Sequence, residues 1–159
     1  MNKLSNALGG KYQENRLSVM TRTFILGNHT FKVRVPSVGE IESIYDYFKN
    51  PNQELVNSTF KELTYELIKI KDTNPVGIVY SDNDVVVEGR SMLEAAKNKV
   101  ILEYRVVEYF KFLIPEDGQT LADLEYSDIE EEFPLSIQIQ LIDKISEVIS
   151  PDYKAIKEK

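Results

Sequence analysis

Few residues in this chain have the types and spacing for chemistry. His29 is the single histidine. A Ser-His-Asp triad would have to be built on it, and a multi-histidine metal site cannot be assembled within one chain. It falls in Gly27-Asn28-His29-Thr30, which reads as a hairpin turn with no partner signature around it, so an exposed turn residue is expected. The absence of cysteine removes disulfides, thiolate zinc sites and thiol nucleophiles together. Asp82-Asn83-Asp84 offer oxygen ligands for calcium, but the EF-hand spacing with its glycine and closing glutamate is missing; an acidic turn is the better reading. Glu125, Asp128, Glu130, Glu131 and Glu132 would form an acid–base pair or a metal cluster only if an apolar cleft gathered two of them. A solvated helix start, favoured by the helix dipole, needs no such cleft. Gly9-Gly10 lacks the GxxxxGK[ST] context of a phosphate loop. Lys32 and Arg34 share the polar face of a strand and read as solvated. No catalytic, cofactor-binding or metal-ligating residue emerges, and a non-enzymatic protein without a cofactor is expected.

Charge supplies a second constraint. The net charge is -7, but it is unevenly placed: residues 1–34 carry six basic residues against Glu14, while 112–143 carry nine acids and no Lys or Arg. An acidic chain is poorly suited to neutralising phosphates, so nucleic acid is not an expected partner. The polarity suits contacts between copies, or with a basic partner. No apolar run reaches the ~20 residues that span a bilayer, and the N-terminus shows no apolar signal core, so the two N-glycosylation sequons (at Asn28 and Asn57) read as chance matches. A reduced, cytoplasmic-type protein is expected.

The elements that must position these residues follow from periodicity. Residues 1–20 have sparse apolar residues without a sustained period and read as a flexible N-terminal arm. Thr23–Leu26 and Phe31–Val35 flank Gly27-Asn28, and Phe31, Val33 and Val35 alternate with Lys32 and Arg34: a β-hairpin. Ser37-Val38-Gly39-Glu40 is a capping-box pattern, and Ile41, Ile44, Tyr45 and Phe48 follow at helical spacing up to Asn50-Pro51. Val56, Phe60, Leu63, Leu67 and Ile70 recur every three to four residues, a narrow seam suited to packing on another helix. Gly77–Tyr80 and Val85–Val87 flank an acidic turn and read as a second short hairpin; one long helix interrupted by a loop is the alternative. Ser91-Met92-Leu93-Glu94 caps a helix carried by Leu93, Ala96, Val100, Tyr104, Val107, Phe110 and Ile114 to about residue 113, with Val106, Phe112 and Leu113 broadening its apolar face. Ser127-Asp128-Ile129-Glu130 caps a short helix before Pro134. Ile137, Leu141, Ile145 and Val148 mark a last one, closed by Ser150-Pro151. The expectation is an α+β, predominantly helical chain: an N-terminal β-hairpin, then a helical bundle. One globular domain spans 21–150, with a polar C-terminal tail at 151–159.

The order hairpin, capped helix, acidic turn, closing helix resembles the tail assembly chaperones of long-tailed bacteriophages. Val33, Val35, Pro36, Ser37 and Glu40 carry the match at the hairpin-to-helix junction, and "DIEEEFPLSIQIQLIDKISEVIS" resembles the family's closing helix. The N-terminal arm and the 75–89 hairpin depart from that pattern. The resemblance implies a chaperone that binds the tape-measure protein in the host cytoplasm, helps recruit tail-tube subunits and is absent from the mature virion. Val56, Phe60, Leu63 and Leu67 are then the candidate contact residues, with plain core as the competing reading. The alternative function is a structural virion protein, a tail or baseplate subunit, whose N-terminal arm reaches a neighbouring copy.

Overall fold

The computed structural model describes residues 2–150; the tail expected at 151–159 lies outside them. The chain is mixed α+β and mostly helical. The span read as one domain divides into two compact units. One holds the residues up to Val38 together with those from Val106 onward; the other is Gly39–Arg105.

The first unit opens with helices α1 (Lys3–Leu8) and α2 (Gly10–Val19), where the sequence pattern gives no period. Local bonds rather than an apolar face hold them. The Asn2 side chain accepts from Ser5 N at 2.9 Å, and Gln13 Nε2 donates to the Ser5 carbonyl at 3.2 Å. No residue of α2 is buried and α1 buries only Ser5, so neither helix has an apolar face in a core, which is why periodicity missed them.

Strands β1 (Thr21–Leu26) and β2 (His29–Arg34) form the expected hairpin, with Leu26 opposite His29. The two-residue turn is Gly27-Asn28, both at positive φ (58° and 66°), the backbone twist that a tight hairpin requires. His29 therefore opens β2 instead of lying in the turn. It is exposed, and its ring meets Phe31 edge-on at 4.6 Å. The inward face carries Phe24 and Val33, both buried.

Helix α5 (Met92–Phe110) stops short of the expected residue 113. Phe112–Ile114 leave the helix and pair with β2: Arg34 N donates to the Phe112 carbonyl and Ile114 N to the Lys32 carbonyl, each at 2.8 Å, around a Val33–Leu113 antiparallel bridge. Pro115 drives Ile114 to extended backbone, and the open edge of β2 takes the segment. Helices α6 (Tyr126–Glu132) and α7 (Leu135–Ile149) complete the unit. The α6 cap lies two residues earlier than expected. Glu125 is the N-cap, and its own N–H donates to Asp128 Oδ2 at 3.0 Å. The buried Gln138 ties the two helices together, donating to the Phe133 carbonyl and accepting from the Tyr126 hydroxyl, each at 2.9 Å. Helix α7 lies against both strands of the hairpin and buries Leu141, Ile142 and Ile145.

The second unit contains α3 (Val38–Lys49), which starts one residue after Ser37 as its capping pattern requires, and α4 (Gln53–Lys69), capped by the Asn52 side chain on Glu54 N and Leu55 N. A short sheet follows: β3 (Ile78–Tyr80), β4 (Val85–Val87) and β5 (Arg90–Ser91), antiparallel in that order. The hairpin reading holds over the interrupted helix, and a two-residue third strand is added to it. Tyr47 stacks on Tyr104 with ring centroids 3.7 Å apart, joining α3 to α5. Among the described residues no helix is long and apolar enough to cross a membrane.

The acidic turn of that sheet has a structural task. Asp84 accepts from Val85 N (2.7 Å), from Leu93 N (3.0 Å) and from the Ser91 hydroxyl (2.5 Å), while Ser91 Oγ accepts from Glu94 N at 3.1 Å. Two side chains thus cap the start of α5. The Ser91 hydroxyl and the backbone N–H groups hold the Asp84 carboxyl below its ordinary value, against a smaller opposing effect of burial. Its contribution to stability is therefore complete above the unfolded-state value near 3.8 and is lost as pH falls through the lower folded-state value. Asp84→Asn should cost about 1 kcal/mol at neutral pH, the ordinary value of a helix cap. Denaturant melts of both proteins from pH 7 downward should show that difference shrinking below about pH 4. A constant difference would mean the charge is not what matters.

Candidate partner-binding face

The two faces of α4 behave differently. Its inner face joins a core cluster in which Val56, wholly buried, meets Ala96 and Val100, with Tyr47, Phe60 and Leu93 packed against it. The inner row is Val56, Phe60, Thr64 and Leu67, so the face is rotated from the sequence-derived seam: Thr64 is buried and Leu63 is 38% exposed. A threonine can fill a core position here because its hydroxyl donates to the Phe60 carbonyl at 2.7 Å. Leu67 is half-buried, and its carbonyl accepts from the Tyr80 hydroxyl.

Of the four candidate contact residues, Val56 is thus core and has no surface to present. Phe60 is shared between core and surface, and Leu63 is exposed on the far flank. Of the residues that α4 presents, Phe60 and Leu63 belong to the seam, whereas Tyr65 and Ile68 do not. Phe60, Thr64 and Ile68 form the floor of an open groove of about 610 Å³, Tyr65 stands beside them, and Lys61 and Lys69 form its rim. Tyr65 and Ile68 are 60% and 54% exposed. Amphipathic spacing could not separate this strip from the core face, because Phe60 belongs to both.

His29 lies in the first unit and the Asp82–Asp84 turn in the second, and both carboxylate oxygens of Asp84 are taken up by the α5 cap. Among the described residues no group of three or more His, Asp or Glu could hold a metal ion. A smaller hollow of about 370 Å³ in the first unit, with Arg34 and Lys111 on its wall, has its cations engaged: Arg34 lies 5.5 Å from the Phe112 ring centre and Lys111 is 3.6 Å from Glu108. Among the described residues the groove on α4 is a candidate site that suits an extended apolar partner better than a small substrate. Compared with family models, curated proteins and solved structures, the chain matches none.

Proposed function

We propose that this protein is a non-enzymatic tail assembly chaperone of a long-tailed bacteriophage, which holds helical stretches of the tape-measure protein in the host cytoplasm and helps recruit tail-tube subunits. The observation that carries the reading is the outward face of α4, where tyrosine and isoleucine stand in solvent along a helix whose other face is core. Such a strip suits the helix-in-groove mode of recognition. The net charge of -7 would keep a client–chaperone complex dispersed. The hairpin running straight into α3 carries the family resemblance.

A second reading, a tail or baseplate subunit, draws on the N-terminal helices. Leu4, Leu8, Leu17 and Val19 are all exposed on α1 and α2, which suits contact with a neighbouring copy. Mass spectrometry of purified particles beside an infected-cell lysate separates the two. Peptides in the lysate and not in the particles, together with a raised soluble yield of co-expressed tape-measure protein, are expected. Peptides at fixed stoichiometry in the particles would overturn the chaperone reading in favour of the structural one.

A further inference from the structure

We infer that the α4 groove selects a helix with carboxylates along its edges, an acidic-edged amphipathic segment. This rests on the docking reading above and adds the chemistry of the occupant. The groove runs from Asn57 to Lys69, about 18 Å along the helix axis at 1.5 Å per residue, which matches some three turns of a partner lying alongside. Its floor makes no polar demand: the Thr64 hydroxyl is spent on the Phe60 carbonyl, and Phe60 and Ile68 are apolar.

The rim is charged with one sign. Lys61 and Lys69 both line the groove, and among the described residues no carboxylate does. They lie eight residues apart, about 12 Å along the axis, with Tyr65 between them. Among the described residues Lys61 makes no ion pair. Lys69 sits 4.1 Å over the Tyr65 ring, and its nearest carboxylate, Glu66 at 3.6 Å, forms only an exposed pair with it. Glu62 lies beside Lys61 and Tyr65 in an adjoining hollow, at the outer shoulder. A partner helix settling on Phe60 and Ile68 would bring its flanking side chains onto the two ammonium groups, and carboxylates two turns apart would answer both. The net negative charge of the chain opposes an acidic partner at long range. It is screened beyond a Debye length of about 8–10 Å, whereas contacts at the rim are shorter.

The test uses three fluorescently labelled amphipathic helices of about 18 residues, identical in apolar stripe and edged with Glu, Gln or Lys, titrated by anisotropy against the full chain. The Glu-edged peptide should bind roughly 2- to 30-fold tighter than the Gln-edged one, the range for two surface ion pairs. The Lys-edged peptide should bind weakest. In the double variant Lys61→Glu, Lys69→Glu, with its melting temperature checked against the parent, the order should invert. Equal binding of all three peptides would overturn the charge inference while leaving the docking reading in place. A preference for Glu that survives the double variant would place the selection elsewhere and overturn it too. Binding of none would overturn the docking reading and this inference together.

Discussion

Leu141→Ala is expected to lower the unfolding free energy by about 2–5 kcal/mol. Leu141 is wholly buried in α7, the helix that lies against both strands of the hairpin, and Val33 on β2 is wholly buried as well. Truncation removes the transfer energy of the lost carbons and leaves a cavity that a close-packed layer cannot collapse around. At about 2–4 °C per kcal/mol for a chain of this size, the melting temperature should drop by roughly 5–20 °C. Ile139, two residues away on the same helix but 42% exposed, is the control; Ile139→Ala should stay within about 0.5 kcal/mol. Thermal melts with hydrogen exchange on β1 and β2 read both. A loss below about 1 kcal/mol for Leu141→Ala would mean that α7 does not seal the hairpin.

How far the sequence disclosed this fold depended on whether each signal was local. The first hairpin was legible because alternation and Gly27-Asn28 are neighbours in the chain, and α7 because Leu141 and Ile145 recur on one face. The segment 112–114 was not legible. Phe112 and Leu113 extend the apolar face of α5 in any helical projection, and only the edge of β2, some eighty residues earlier in the chain, turns them into a strand. Competition between a local period and a distant hydrogen-bonding edge has no signature in one window of sequence. The second cap on α5 was hidden for the same reason. Ser91 and Glu94 formed a recognisable box, but Asp84 reaches it across a turn and a strand. Its carboxylate accepts from backbone N–H groups at the start of β4 and α5.

The candidate site was half legible for a different reason. The seam Val56, Phe60, Leu63, Leu67 marked the apolar side of α4 but not its buried row, because counting apolar residues favours Leu63 over Thr64. A threonine whose hydroxyl bonds back within the helix is apolar enough to bury, and choosing it rotates the core face away from Leu63. That rotation places Tyr65 and Ile68 outside.

The consequence is a pair of substitutions with opposite signatures. Val56→Asp would leave an uncompensated charge in the α3–α4–α5 core, a cost of about 3–5 kcal/mol, and should destabilise the second unit with or without a partner. Tyr65→Ala removes an exposed aromatic from the groove. It should alter stability by no more than about 0.5 kcal/mol, yet reduce affinity for a helical client by about 30-fold or more, the effect of losing a central aromatic anchor. Melting curves and client titrations on both variants separate the two rows. If Val56→Asp melts like the parent and loses only binding, the sequence-derived seam is the contact surface after all. If Tyr65→Ala binds its client unchanged, the outward strip is not the interface. Client binding would then use another exposed apolar surface, such as the leucines of α1 and α2 or Leu55 and Leu63 on the far flank of α4.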